Sequence, residues 1–236
     1  MTTVDDAAGG GAPNESVGPR PGSSEEEPPG ASTTEARIVA ATALRGLGHA
    51  LVAHDVDDDS FRRITAQVEE LLAEVEATPA RVRAPLDMVR AIFTAPPPDG
   101  AHRPKFPDSI VTGKANPMGL AATIGREGDE AVLRTTLGPA FEGAPGRAHG
   151  GTVAALLDEV MGFVLSIYAT PAYTGRLTVT YRAPTPIGVA LEMRARLRSR
   201  HGRKLRIEAH ALHGTSVIAQ GEGLFIAVDP ERFGTG

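Results

Sequence analysis

The stretch TVAALLDEVMGFVLSIYAT, residues Thr152–Thr170, fixes the fold class. Val153, Leu156, Leu157, Val160, Met161, Phe163, Val164, Leu165 and Ile167 surround a helix on all sides instead of forming one stripe. A helix that is apolar all round belongs inside a core. It carries only two charged residues, Asp158 and Glu159.

The flanking segments have a different period. Leu120–Arg126 and Glu130–Leu137 read as two strands joined by a turn at Gly128-Asp129. A Gly/Pro-rich loop, Glu142–Ala148, leads into the helix. Four more strand-like runs follow it. Leu177, Val179 and Tyr181 alternate with threonines, and Leu191, Met193, Ala195 and Leu197 alternate with Glu192 and three arginines. Leu205, Ile207, Ala209 and Ala211 repeat the alternation after His201-Gly202, and Ala219–Val228 closes the series. One apolar helix among antiparallel strands hides its sides only if the sheet wraps around it. The expected class is α+β and the expected architecture the hotdog fold, an antiparallel sheet wrapped around one long central helix, with an N-terminal helical extension.

The chain has 236 residues, a net charge of −5 and no Cys or Trp. Disulfides, thiolate metal sites and a thiol nucleophile are excluded. Residues 1–36 hold seven acids and one base, so the acidity sits there and the remainder is near neutral. This segment is rich in Gly, Pro, Ser and Glu and is expected to be disordered. Gly9-Gly10-Gly11 falls inside it and is not a phosphate loop. There is no basic, apolar leader and no uncharged apolar run of membrane length, so a soluble cytoplasmic protein is expected.

Residues 37–94 read as a helical extension. Ile38, Val39, Leu44, Leu47, Leu51 and Val52 recur at helical spacing, interrupted by Gly46 and Gly48. Ser60 is placed to cap a second helix whose apolar face is Phe61, Ile64, Val68, Leu71, Leu72 and Val75, ended by Pro79. A third, short helix is expected around Leu86–Phe93. Acids outnumber bases here and no basic recognition helix appears, so a packing appendage or dimer surface is favoured over a nucleic-acid reader. Residues 95–108, with five prolines, read as a linker, leaving 109–236 as the hotdog domain.

A carboxylate on an apolar helix is costly unless paired, neutral or solvated at a cleft. Asp158 and Glu159 sit about 100° apart and cannot share one environment. Asp158 is the preferred functional acid, and burial would suit it to general-base work. Eight residues upstream, Ala148-His149-Gly150-Gly151-Thr152 places two glycines where the helix begins. Helix starts present unpaired N–H groups, and glycine lets a carbonyl approach them. That is oxyanion-hole chemistry. Gly150 and Asp158 are about 12 Å apart along a helix, too far for one carbonyl to touch both. A two-fold dimer that sets the helix start of one subunit near Asp158 of the other resolves this.

The run from Phe141 through Glu142-Gly143-Ala144-Pro145-Gly146-Arg147-Ala148-His149-Gly150-Gly151, then Leu156-Leu157-Asp158-Glu159, resembles the PaaI-like branch of the hotdog acyl-CoA thioesterases. Tyr181-Arg182-Ala183-Pro184 and Gly202-Arg203-Lys204 add to the likeness, which spans about Asn116 to Pro230. The resemblance implies thioester hydrolysis of an acyl-CoA. It implies Asp158 as nucleophile or general base, and the Gly150 backbone N–H as oxyanion donor with Gly151 and His149 adjacent. It implies Thr174 as the hydroxyl that orients water or substrate. Some relatives place Asn or Gln six residues before the His; here that position is Gly143.

Arg182, Arg200, Arg203 and Lys204 are candidates to meet CoA phosphates. Met161, Leu165 and Tyr168 are placed to set acyl-pocket length. The remaining histidines have no metal-ligand spacing, so neither metal nor cofactor is expected. The expected partners are the acyl-CoA and a second copy of the chain, possibly in a dimer of dimers, with no nucleic acid or membrane. Two alternatives stand beside hydrolysis. A hotdog dehydratase or hydratase would need His149 as acid/base. A non-catalytic acyl-CoA-binding protein would be expected to lack the helix acid.

Overall fold

A computed structural model describes residues 35–81, 92–102 and 106–229. The acidic segment 1–34 and most of the expected third helix, 82–91, lie outside the described residues.

The core helix, α3, runs Gly150–Ile167. Ten of its eighteen residues are buried. It is long and apolar enough by composition to cross a bilayer, but its apolar surface is taken up by the sheet. That sheet has six antiparallel strands: β1 (Thr123–Glu127), β2 (Glu130–Thr136), β5 (Ala172–Tyr181), β6 (Ala190–His201), β7 (Lys204–His213) and β8 (Ser216–Ala227). Their spatial order is β1-β2-β6-β7-β8-β5. A two-stranded ribbon, β3 (Glu142–Ala144) with β4 (Arg147–Ala148), lies between β2 and α3 in the chain. The fold is a hotdog: one long helix packed against a curved antiparallel sheet.

Leu133, Leu191, Met193, Leu205, Ile207 and Phe225 are all buried with the helix residues in one cluster. Gly221 and Gly223 bring β8 close to α3. A methyl group at Gly223 would sit 2.5 Å from the Phe225 ring and 3.1 Å from the Met161 sulfur, and one at Gly221 3.3 Å from Met161 Cε. Met161, expected at the acyl pocket, is 0% exposed and fills the core beneath β8.

The N-terminal helices are α1 (Glu35–Ala53) and α2 (Asp58–Glu76). The cap of α2 is Asp57 instead of the expected Ser60. Its carboxylate accepts from the Ser60 N–H and hydroxyl, each at 2.8 Å, so Ser60 is moved one turn into the helix. α1 docks on the hotdog domain. Arg45 donates to the Lys114 and Asn116 carbonyls at 3.0 and 2.6 Å, and Arg37 pairs with Asp108 at 2.8 Å. α2 has no buried residue; Phe61, Val68, Leu71, Leu72 and Val75 are all exposed.

Part of the Pro-rich stretch 95–108 adds to the sheet. The Gly100 N–H donates to the Arg126 carbonyl at 2.9 Å, and the Arg126 N–H to that of Ala101 at 3.1 Å. It therefore lies along β1, so β5 is left as the open edge among the described residues.

Candidate active site

The start of α3 is built by the short ribbon before it. β3 and β4 turn at Gly146, whose φ of +70° is a conformation glycine adopts freely. The His149 N–H donates to the Phe141 carbonyl at 2.8 Å, and the Ala148 N–H to that of Thr185 at 2.9 Å. The turn is thus tied on both sides. Phe141 is braced from outside by α1: the His49 ring meets it edge-on at 5.2 Å, and His49 Nδ1 accepts from the Ala140 N–H at 3.1 Å.

His149 is the N-cap of α3, and its Nδ1 accepts from the Gly151 N–H at 3.0 Å. A neutral imidazole that accepts at Nδ1 carries its proton on Nε2. This removes the Gly151 N–H from the pool of free donors. The Gly150 N–H has no acceptor among the described residues, and it stands at the positive end of an eighteen-residue helix.

Gly143 is accounted for by the same turn. A Cβ there would lie 2.8 Å from His149 Cα and 3.0 Å from its Cβ and Cδ2. A side chain at position 143 would therefore run into His149.

Tyr181 ends β5, and nothing in the sequence pattern sets it apart from the other alternating strand residues. Its hydroxyl donates to the Gly150 carbonyl at 2.7 Å. A cavity of about 500 Å³ opens beside it, lined by Gly150, Val153, Tyr181, Arg182, Pro184 and Arg147 among others. Arg182 is held at its rim by two hydrogen bonds to Gln220 Oε1, at 3.0 and 2.8 Å.

The helix acids separate as their 100° offset requires. Asp158 is half-buried, less than expected, and its Oδ1 accepts from the Thr174 hydroxyl at 3.1 Å. Glu159 points the other way and accepts from the buried Thr112 hydroxyl at 3.1 Å. Glu159 therefore ties the loop before β1 to the helix. Arg203, whose Nε donates to the Ala227 carbonyl at 2.8 Å, and Lys204, paired with Ile226, lie at the Thr174 end of the sheet. Arg200 reaches Thr170 Oγ1 at 3.4 Å. Tyr168 is 41% exposed just past the end of α3, whereas Leu165 is buried.

Two half-sites result, at opposite ends of one edge strand. Thr174 with Asp158 occupies one end of β5, and Tyr181 with Gly150 the other. Among the described residues no group of three or more His, Asp or Glu is arranged to hold a metal ion.

Residues 145–218, from the ribbon turn through α3 to β8, match the sequence model of the thioesterase superfamily. Over that span the chain is similar to the thioesterase superfamily. Bovine acyl-coenzyme A thioesterase THEM4 is 28% identical to it over 122 residues, 50% of each chain. Mouse THEM4 is 30% identical over 94 residues, 39% of this chain and 40% of its own. The matched region thus spans half or less of these curated relatives. A crystal structure of a thioesterase superfamily protein has the same fold, with a TM-score of 0.70 at 24% identity over 83% of this chain and 92% of that one. Residues 109–236 alone are too few for that coverage, so the likeness in fold reaches into the N-terminal region.

Proposed function

We propose that the protein hydrolyses an acyl-CoA thioester to a free acid and CoA, in sites shared between two copies of the chain. The observation that carries this is the placement of the two half-sites on β5. Seven residues of strand separate Thr174 from Tyr181, about 23 Å. Antiparallel pairing of two β5 edges about a two-fold axis reverses the strand. The Thr174–Asp158 end of one copy then meets the Tyr181–Gly150 end of the other, twice per dimer.

In that site the thioester carbonyl oxygen lies against the Gly150 N–H, where negative charge develops. Asp158 of the second copy either takes a proton from water as it attacks the carbonyl carbon, or attacks directly and is later released by water. The Thr174 hydroxyl orients the carboxylate. The C–S bond breaks, and CoA leaves with the electron pair and is protonated. Arg182 lies beside Gly150, and Arg203 and Lys204 at the Thr174 end. The dimer brings these cations to one site rim, where they suit the CoA phosphates.

Hydration of an enoyl-CoA is disfavoured by the tautomer of His149. Its Nδ1 is engaged and its Nε2 protonated, so it has no free lone pair for a general base. The test is a panel of acyl-CoA esters of varied chain length and aryl character, with free CoA read by a thiol reagent. At least one should be turned over, and Asp158→Asn should lower its kcat by on the order of 10²–10⁴ with the dimer intact. No turnover across the panel, or near-normal activity in the variant, overturns the proposal.

A further inference from the structure

We infer that Tyr181 is a positioning residue that sets the tautomer of His149 and the pose of the oxyanion turn through a three-member hydrogen-bond chain. This rests on the hydrolytic reading only for its kinetic consequence. The Tyr181 hydroxyl donates to the Gly150 carbonyl at 2.7 Å. That carbonyl and the Gly151 N–H belong to one peptide group, and the N–H donates to His149 Nδ1 at 3.0 Å. Hydrogen bonds in series polarise one another. Donation into the carbonyl makes the peptide N–H a stronger donor, which holds Nδ1 as acceptor and the proton on Nε2.

The contact is also steric. A Cβ at Gly150 would lie 3.2 Å from the Tyr181 hydroxyl oxygen and 3.3 Å from the ring carbon that bears it. The tyrosine therefore rests on the glycine and fixes the plane of the first helical peptide. The Gly150 N–H belongs to the adjoining His149–Gly150 peptide, which shares the Gly150 Cα, so the contact bears on its direction through the backbone of that one residue. His149 is confined from the opposite side by Gly143, where any side chain would meet it. The turn is thus held by Tyr181 on one side and by β3 on the other. Tyr181 thus adds a side-chain hydrogen bond to the backbone bonds from His149 to Phe141 and from Ala148 to Thr185 that already tie this turn.

Tyr181 also sits at the end of the open β5 edge and is 51% exposed in the single chain. Pairing of two β5 edges would withdraw its hydroxyl from water, and a hydrogen bond shielded from solvent holds its geometry more tightly. Assembly would thereby order the turn on which the oxyanion donor sits.

The test is Tyr181→Phe, which removes one hydroxyl and keeps the ring. The first readout needs no activity: the ¹⁵N shifts of the His149 imidazole at a pH where it is neutral, assigned with His149→Gln. The wild type should show a single Nε2–H tautomer, and the variant a mixture of both. In kinetics with a turned-over acyl-CoA, kcat should fall roughly tenfold with KM little changed, less than loss of a direct oxyanion donor would cost. A single Nε2–H tautomer persisting in Tyr181→Phe overturns the inference whatever the rate. If the wild type hydrolyses no acyl-CoA, the functional reading fails while the tautomer measurement still decides this one.

Discussion

Position 143 shows how a missing side chain is explained by its neighbour. The sequence marked Gly143 as a departure from relatives that keep Asn or Gln there. In the structure, His149 backbone and ring atoms occupy the space a Cβ would need, at 2.8–3.0 Å. Gly143→Asn should therefore damage the site instead of restoring a contact. Turnover is expected to fall on the order of 10–100-fold as the His149 turn is displaced. Measured kcat equal to or above wild type would contradict this. At the same scale, Asp158, His149 and Gly150 stand out in the sequence because a carboxylate on an apolar helix and a His-Gly pair at its start are unusual, whereas Thr174, a strand residue, enters only through the family resemblance. Tyr181 does not stand out, because a tyrosine at the end of an alternating strand looks like any half-exposed strand residue. Its partner is a backbone carbonyl 31 positions away, which no local pattern signals. For Met161 the sequence leaves its direction open: a methionine on a core helix can face a pocket or a strand, and in the single chain it lies against Gly221 and Gly223 of β8.

Among the elements, β8 and β1 carry separate burdens. Gly221 and Gly223 let α3 approach the sheet, so Gly223→Val should overpack the interface. Stability should drop by about 1–3 kcal/mol in denaturant unfolding, with the fold retained. On the outer face of the sheet, Arg194 pairs with Glu127, Glu130 and Glu192 at 2.6–3.1 Å, and Arg134 pairs with Glu127 and Glu192, each at 2.8 Å. Hydrogen bonds from Arg134 and then Arg194 hold the Glu127 carboxyl below its ordinary value of 4.5. A depressed folded-state pKa contributes stability above 4.5 that is lost as pH falls through the folded value. Glu127→Gln should lower the melting temperature by a small amount at pH 7, and the deficit should shrink as pH falls below 4.5 through the folded-state value. A deficit that stays the same as pH falls would contradict the assignment. The contribution is modest because the groups are partly solvated. Element type was readable from period alone, since alternation and all-round apolarity are distinct signals. Boundaries were less so: Asp57 displaced Ser60 as the cap, and residues 100–102 paired with β1 although the prolines on either side of them suggested a linker.

For the whole molecule, the important fact is that Thr174 with Asp158 and Tyr181 with Gly150 sit at the two ends of one edge strand, the two halves of the proposed site. Eight helical residues separate Gly150 from Asp158; the structure gives Asp158 the partner Thr174 and Gly150 the partner Tyr181, and among the described residues β5 has an open edge. The central claim is that catalysis needs Gly150 from one copy and Asp158 from another. Active-site complementation tests it most directly. Asp158→Asn and Gly150→Val, each inactive as a homodimer, are mixed by refolding from denaturant in equal amounts. Half of the dimers should be hybrids, and each hybrid should carry one intact site, restoring about a quarter of wild-type turnover. Mixed dimers verified by mass spectrometry that show no recovered turnover would contradict the shared site.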